Sequence, residues 1–379
     1  MAQRLKTDWT LFLTIVGMVC FGIVMVYSAS TVMAEVRFKD ANRFLLRQVG
    51  FAVLGFILLM YFKRKDYRLL GDSTWAFAPL GLVLAALVVV YFTDPSSHRW
   101  LGYGWARIQP SEFAKPALVV FLAWFVTKRA HAINARYTLF PAALALSVLA
   151  ASVIVADLGT AAVLMCTAAA VFYVAGLDRR YFFFAVAACL FVLPLAILSK
   201  PYRVHRIIGY LDPEYTMLDR IDPNGHIKNW ANTSVTTRDA SYQARQSKIA
   251  VATGGALGKG LMESKQKLLF LPEAHNDFIF AVIGEELGLW GATCVLAGYL
   301  VILWRGLRLY WTVPDDFGKY LALGVTVAVV AQALINISVV LDMAPTKGFP
   351  LPLISYGGSS LLSSLMSLGV LMSVSDHSG

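Results

Sequence analysis

Repeated apolar runs, each about long enough to cross a lipid bilayer, limit the folds that this chain can adopt. A membrane-crossing helix needs roughly 20 apolar residues, because each residue adds about 1.5 Å to a hydrocarbon core about 30 Å thick. About ten stretches fit this pattern. They cover residues 9–30, 44–62, 75–92, 111–127, 138–156, 159–176, 181–199, 276–304, 317–341 and 354–374. The sequence therefore predicts an all-α integral membrane protein with about ten transmembrane helices.

Composition agrees with this fold class and excludes others. The chain is 58% hydrophobic and 15% charged, and its mean hydropathy is +0.63, far above a soluble domain. The 4 cysteines lie inside apolar runs and are interpreted as small hydrophobic residues. The net charge of +10 favours contact with anionic lipid headgroups and an anionic substrate. Nucleic-acid binding is not expected, because the basic residues are scattered among connecting loops.

The distribution of lysine and arginine predicts the orientation. Basic residues are concentrated in alternate connections, among them residues 63–68, 128–136 and 305–308, which the positive-inside rule assigns to the cytoplasm. A multi-pass chain with both termini cytoplasmic follows. Residues 1–199 are then predicted to form helices 1–7, and residues 275–379 helices 8–10. Residues 200–274 form one large extracytoplasmic loop between helices 7 and 8, with an amphipathic helix predicted at 242–252.

Polar residues that a membrane scaffold does not need fall on the extracytoplasmic side of this map. Trp100 and Glu112 flank the start of the fourth span, Asp157 lies between the fifth and sixth, and Asp277 opens the eighth. Lys347 lies in the last outer loop. The pattern predicts a carboxylate-bearing site assembled from several loops. Alternatively, Asp157 caps the sixth helix, Trp100 is an interfacial belt residue, and Asp277 is an N-terminal helix charge.

Four further charged residues have a structural interpretation beside a functional one. Glu112 and Lys115 share one helix face at a spacing of three and can form an ion pair inside the bundle. Glu285 and Glu286 lie two turns into the eighth span, and we expect them to pair with Lys115 or Lys319.

Several long motifs occur in one order along the whole chain. They are QPSEFAK (109–115), ADLGT (156–160), YQARQSKIAVATGGALGKGLM (242–262), LPEAHNDFIFAVIGEELG (271–288) and PTKGFPLPLISYGGSS (345–360). Together they resemble the SEDS family of bacterial shape, elongation, division and sporulation proteins, typified by FtsW and RodA. The EAH and PTKG segments favour the FtsW type and QSKIA and GFPLP the RodA type; we favour the FtsW type.

The resemblance implies a peptidoglycan glycosyltransferase that polymerises lipid II at the outer face of the bacterial cytoplasmic (inner) membrane, for cell division or elongation. It also implies a class B penicillin-binding protein as partner, with other divisome or elongasome proteins. The family's essential catalytic aspartate maps to Asp277, and its motif residues map to Trp100, Asp157 and Lys347. Asn276 stands where threonine is common in the family.

This reaction needs a base for the attacking sugar hydroxyl and cations for the departing pyrophosphate. Asp277 is the hypothesised base. The substrate-binding candidates are Trp100, Glu112, Lys115, Asp157, Arg203, Arg206, Arg245, Lys248, Lys265, His275 and Lys347. A divalent cation, Mg²⁺ or Mn²⁺, at Asp277 and Asp157 is a further hypothesis, because such ions prefer oxygen ligands. The basic loop alternatively binds anionic headgroups. Two other functions stay open: a lipid II flippase or transporter, and a non-catalytic scaffold for a penicillin-binding protein.

Overall fold

The computed structural model describes residues 7–94, 97–102, 104, 107–212, 216–223, 225–226, 230, 240–268, 270–345 and 348–378. Its α-helices are α1 (Trp9–Phe38), α2 (Arg43–Arg64), α3 (Ser73–Thr93), α4 (Pro110–Arg129), α5 (Arg136–Ala156), α6 (Leu158–Val174), α7 (Arg179–Leu198), α8 (Pro201–Leu211), α9 (Thr216–Ile221), α10 (Ala240–Gly254), α11 (Ile279–Thr312), α12 (Asp316–Val340) and α13 (Gly358–His377). Short 3₁₀ helices lie at Tyr67–Gly71 and Ala130–Ala132.

The all-α membrane fold is confirmed. Among the residues that the structure describes, 8 helices are long and apolar enough to cross a membrane. The apolar α6 is shorter, with 17 residues, and α4 carries the buried charges of Glu112 and Lys115 within its length. The total of ten crossings and the position of the large loop stay predictions.

Helix α12 lies at the centre of the bundle. It packs against α4, α6, α11 and α13, and most of its residues are buried. A helix that is apolar on all sides is one surrounded by protein or lipid. Its polar residues Gln332 and Asn336 are therefore buried inside the bundle, where an amide group needs hydrogen-bond partners. Both amides bond to the loop that follows α12, as described below.

Helix α11 is interrupted at Gly288, whose backbone is not helical (φ 63°, ψ −157°). Residues 255–260 supply hydrogen bonds at this interruption. The N–H groups of Leu289 and Trp290 donate to the carbonyls of Gly255 and Ala256 (2.9 and 3.4 Å), and those of Lys259 and Gly260 donate to Glu285 and Glu286 (3.0 and 2.9 Å). Glycine is required at 258, because a Cβ there would lie 2.1 Å from the Glu286 carbonyl oxygen. The loop after α10 is thereby bonded into the break in α11.

The first described residues of the chain and the end of α13 lie on the same face of the bundle, called here the face of the termini. Thr7 Oγ1 is 3.4 Å from Asp376 Oδ2, and Lys63 Nζ lies 3.0 Å from the same oxygen. Arg305, near the end of α11, pairs with Asp8 at 2.6 Å. The start of α11 is roughly 40 Å from Arg305 at the rise of an α-helix. Asp277, just before α11, therefore lies on the opposite face from the termini.

Candidate active site

Asp277 lies in a tight turn that precedes α11. The Glu273 carbonyl accepts hydrogen bonds from the N–H groups of Asn276 and Asp277 at 3.0 and 3.1 Å. The helix begins only at Ile279, and the capping residue Phe278 makes no side-chain capping bond. The prediction that Asp277 opens the helix was wrong by two residues, because the turn closed on Glu273 occupies this part of the chain.

The backbone of this turn is bonded to the loop after α12. Asn336 Nδ2 donates both to the Asp277 carbonyl (2.9 Å) and to the Phe349 carbonyl (2.8 Å). Ser355 Oγ donates to the Asn276 carbonyl at 2.5 Å. One buried amide on α12 therefore connects the two loops. Sequence reasoning missed Asn336, although an asparagine inside a predicted apolar span is itself a signal that a polar partner exists.

Gly348 leaves the space that the Asp277 carboxylate occupies. A Cβ atom at position 348 would lie 2.0 Å from Asp277 Oδ2, which no side chain could tolerate without displacing the carboxylate. The loop that contains the PTKG motif is thus in contact with the predicted base. Lys347, the next residue back along the chain, lies outside the described residues, and its role stays a prediction.

The electrostatic surroundings of Asp277 favour its protonated form. Packing of the carboxyl against the protein raises its pKa to about 7, and the nearby carboxylate of Glu273 acts in the same direction. Arg99 and Arg206 oppose this shift, and Asp157 adds to it more weakly. The side chain stays partly exposed, so a carboxyl that titrates near neutral pH is accessible beside two arginines.

Asp157 caps α6 and also faces Arg99. Its Oδ1 accepts the Gly159 N–H at 2.9 Å, and its Oδ2 accepts the Thr160 hydroxyl at 2.8 Å. Arg99 Nη2 lies 3.5 Å from the same Oδ2. The capping alternative is confirmed, and the cap also positions an arginine that acts on the pKa of Asp277.

Trp100 follows Arg99 in a loop organised by an acidic residue. Asp94 Oδ2 accepts the N–H groups of Arg99 and Trp100 at 3.3 and 3.2 Å. The Arg107 guanidinium lies 5.1 Å from the Trp100 ring centroid, within cation–π range. Trp100 is half-buried. Its predicted substrate contact stays a prediction.

His275 is buried and packs against two aromatic rings. Its ring centroid lies 4.8 Å from that of Phe44 and 5.5 Å from that of Tyr356. Burial, helped by the charge of Arg37, lowers its pKa to about 4. The imidazole is therefore neutral near pH 7. Its surroundings suit a residue that holds the turn in place better than one that binds pyrophosphate.

Two of the predicted cations lie on α8. The buried Arg203 donates to the carbonyls of Ala196 and Ile154 at 2.8 and 2.6 Å, so part of its guanidinium supports the bundle. Arg206 is half-buried, and its charge acts on the pKa of Asp277. Among the predicted pyrophosphate partners that the structure describes, Arg206 is one whose charge reaches Asp277.

Three more predicted cations, Arg245, Lys248 and Lys265, lie on α10 or in the segment that follows it. Lys248 pairs with Asp342 at 2.5 Å, whereas Arg245 and Lys265 are exposed. The substrate contacts of these three residues stay predictions.

Glu112 and Lys115 form the ion pair that their spacing allows. Lys115 Nζ lies 2.7 Å from Glu112 Oε2 and 2.5 Å from Gln332 Oε1, and both charged residues are buried. Gln332 Nε2 in turn donates to the Pro350 carbonyl at 2.9 Å. The pair supports the loop that contacts Asp277. A direct contact with substrate stays a prediction.

The predicted partners of Glu285 and Glu286 were wrong. Glu285 pairs with Lys259 at 2.5 Å, and Glu286 pairs with Lys267 at 2.7 Å. Lys115 and Lys319 have other partners, Glu112 and Asp316. Helical periodicity could not indicate this, because the segment after α10 folds back onto α11.

The described residues contain no group of three or more His, Cys, Asp or Glu side chains placed to hold a metal ion. Both oxygens of Asp157 accept hydrogen bonds from the α6 cap, and arginines lie near Asp277. This donor set fits a divalent cation poorly. The cation at Asp277 and Asp157 stays a prediction.

The fold and site define a class: a polytopic helical membrane protein with a carboxyl of raised pKa and arginines at one face. The family model described as "Cell cycle protein", which covers FtsW, RodA and SpoVE, matches residues 8–379. This chain belongs to that family, as its motifs predicted.

Individual relatives are similar to this chain over nearly its whole length. "Probable peptidoglycan glycosyltransferase FtsW" of Geobacter metallireducens is 37% identical over 376 residues, which are 98% of this chain and 95% of that one. "Stage V sporulation protein E" of Bacillus subtilis is 37% identical over 385 residues, 98% of each chain. Since relatives of both names match equally well, identity alone does not separate the cellular processes.

Solved structures share the fold. A chain in "Structural coordination of polymerization and crosslinking by a peptidoglycan synthase complex" superposes with a TM-score of 0.73 at 25% identity, over 98% of both chains. The rod shape determining protein RodA of Thermus thermophilus superposes with a TM-score of 0.68 at 23% identity, over 99% of both chains.

Proposed function

We propose that this protein is a peptidoglycan glycosyltransferase that polymerises lipid II into glycan strands, with Asp277 as its general base. The environment of Asp277 carries the assignment of the base. Its side chain is partly exposed, burial raises its pKa to about 7, and the charges of Arg99 and Arg206 act on it. A base is most effective when its pKa is near the working pH, and proton transfer by a positioned group contributes roughly 10²–10⁴-fold to the rate.

In the proposed reaction, a sugar hydroxyl attacks the anomeric carbon of a sugar linked to a lipid pyrophosphate. Asp277 accepts the hydroxyl proton as the new C–O bond forms. The bond to the pyrophosphate oxygen breaks, and the pyrophosphate leaves with the electron pair. Arg99 and Arg206 stabilise the charge on the leaving group, because a guanidinium can donate two hydrogen bonds to a phosphate. The lost proton and the leaving anion are thus both accounted for by residues of this chain.

The location and partners are part of the same proposal. We place the chain in the bacterial cytoplasmic membrane with both termini in the cytoplasm and Asp277 outside. The basic connections on the face of the termini support this orientation. A class B penicillin-binding protein is the proposed partner, with other divisome or elongasome proteins. The similar chain in a complex described as coordinating polymerization and crosslinking supports a crosslinking partner.

The test is polymerisation of purified lipid II by the reconstituted chain, with and without the partner. Asp277→Asn removes the base and leaves the size of the side chain nearly unchanged. Asp316→Asn is the matched control, because Asp316 begins α12 on the face of the termini. We expect glycan strands from the wild type and the control, and none from Asp277→Asn, whose unfolding temperature should be no lower than that of the wild type and whose elution volume should be unchanged.

Each other outcome contradicts part of the proposal. Normal polymer from Asp277→Asn would refute the assignment of the base. Movement of the lipid II headgroup across vesicles without any polymer would favour the flippase alternative. Polymer made by the partner alone, at the same rate without this chain, would favour the scaffold.

A further inference from the structure

The segment that follows α10 is hydrogen-bonded into the break in α11, and its lysines form ion pairs with carboxylates of α11. We call residues 254–268 the docked segment. Its Lys259 and Lys267 pair with Glu285 and Glu286, whose side chains are fully buried. Ser264 Oγ also donates to Glu285 Oε2 at 2.5 Å. With the backbone bonds to α11, this pairing satisfies charges and amides that would be costly to place next to lipid.

The docked segment also exposes several apolar side chains. With that of Phe270 just beyond the segment, these are Leu257 (82%), Leu261 (49%), Met262 (41%), Leu268 (45%) and Phe270 (54%); the charged Glu263 and Lys265 are exposed between them. A contiguous exposed apolar patch on a protein usually marks an interaction surface. The patch lies in the stretch for which the sequence predicted an extracytoplasmic loop.

The patch is continuous with the lipid-facing surface of α11. Leu289 and Trp290 are exposed by 66% and 67% on a helix apolar enough to cross the membrane. Their N–H groups donate to Gly255 and Ala256, the residues immediately before Leu257. Leu257 therefore lies at the depth of the first exposed residues of the membrane helix.

The length of α11 places this depth at the edge of the bilayer core. Arg305 marks the face of the termini, where it pairs with Asp8. Glu286 lies 19 residues earlier, roughly 28 Å away at the helical rise, which is close to the full thickness of about 30 Å. Glu286 thus lies near the far boundary of the core, and Leu289 and Trp290 lie just inside it.

We infer that the docked segment is an interfacial membrane anchor whose apolar side chains insert among the acyl chains of the leaflet on the Asp277 side. Segments of this kind typically bury their apolar face about 5–10 Å into the boundary between headgroups and acyl chains. The inference does not depend on the reaction that the protein catalyses.

The test places an environment-sensitive NBD fluorophore on single cysteines in the full-length chain with its own cysteines replaced. The positions are Leu257→Cys and, as an independent second site, Leu261→Cys. Leu300→Cys is the membrane control, since Leu300 is exposed on α11, and Arg245→Cys is the water control, since Arg245 is exposed on α10. The protein is reconstituted in vesicles of phosphatidylcholine and phosphatidylglycerol.

We expect NBD at positions 257 and 261 to emit at shorter wavelength than at 245, and to lose emission to doxyl-labelled lipids as it does at 300. Iodide in the water should quench the label at 245 and spare the label at 257 and 261. Quenching of both positions by iodide and not by doxyl lipid would refute the anchor. Protection from both quenchers would also refute it, and would assign the patch to a contact with protein.

Discussion

The pH dependence of polymerisation tests the proposed base most directly. Glycan synthesis should fall about tenfold for each pH unit below about pH 7, because only the ionised fraction of Asp277 can accept a proton. An aspartate with its ordinary pKa of 3.8 would leave the rate flat over the same range. The midpoints of these two profiles differ by roughly three pH units, so the measurement distinguishes a raised pKa of Asp277 from an ordinary one.

Two substitutions should move this profile in opposite directions. Glu273→Gln removes a negative charge that raises the pKa of Asp277, so the half-maximal pH should shift down. Arg206→Gln removes a positive charge that lowers this pKa, so the half-maximal pH should shift up. Lys319→Gln, a change on the face of the termini where Lys319 pairs with Asp316, should leave the half-maximal pH unchanged.

The assay is the initial rate of glycan formation from labelled lipid II under subsaturating substrate, measured from about pH 5 to pH 9. The half-maximal pH is the readout, because a loss of substrate binding changes the height of the profile and leaves its midpoint in place. A profile that is flat below pH 7, or two substitutions that shift the midpoint in the same direction, would refute the assignment of Asp277.

Three further predictions concern stability and packing. Burial raises the pKa of Asp277 in the folded state from 3.8 to about 7. The folded wild type therefore loses stability as the pH rises from about 4 through about 7, because the buried carboxyl must ionise. Asp277→Asn does not ionise, so its Tm advantage over the wild type should grow from about pH 4 to pH 7 and then level off. Lys267→Met leaves a fully buried carboxylate unpaired (side chains 3% and 0% exposed) and should reduce the unfolding free energy by about 3–5 kcal/mol, whereas Lys319→Met, at an exposed pair, should cost about 0–1 kcal/mol in the same denaturation assay. Gly348→Ala should abolish polymerisation with the fold intact, because its Cβ would meet the Asp277 carboxylate, whereas at Gly357 a Cβ would have its nearest neighbours at 3.6 Å and Gly357→Ala should keep activity.

Different outcomes would contradict these predictions. A Tm difference for Asp277→Asn that is independent of pH would mean that this carboxyl does not titrate differently on folding. Equal losses for the two lysine variants would mean that the Glu286 pair is not buried. Full activity of Gly348→Ala would mean that the loop is displaced from Asp277 in the working enzyme.

The local sequence determined the fold class, because a bilayer requires long apolar helices and their lengths can be read directly from the chain. It also determined the i, i+3 pair of Glu112 and Lys115 and the capping role of Asp157, which depend on residues a few positions apart. The hypothesis of a catalytic carboxylate at Asp277 came from the sequence for the same reason: the residues of its motif are neighbours along the chain.

Only the tertiary structure decided which distant groups meet. Asn336 joins the Asp277 turn to the Phe349 loop, and Glu285 and Glu286 pair with lysines of the docked segment. Neither follows from periodicity, which predicts the face of a helix and gives no information about the segment that covers it. The neutral-range pKa of Asp277 arises in the same way, because it depends on packing and on charges contributed by separate parts of the chain.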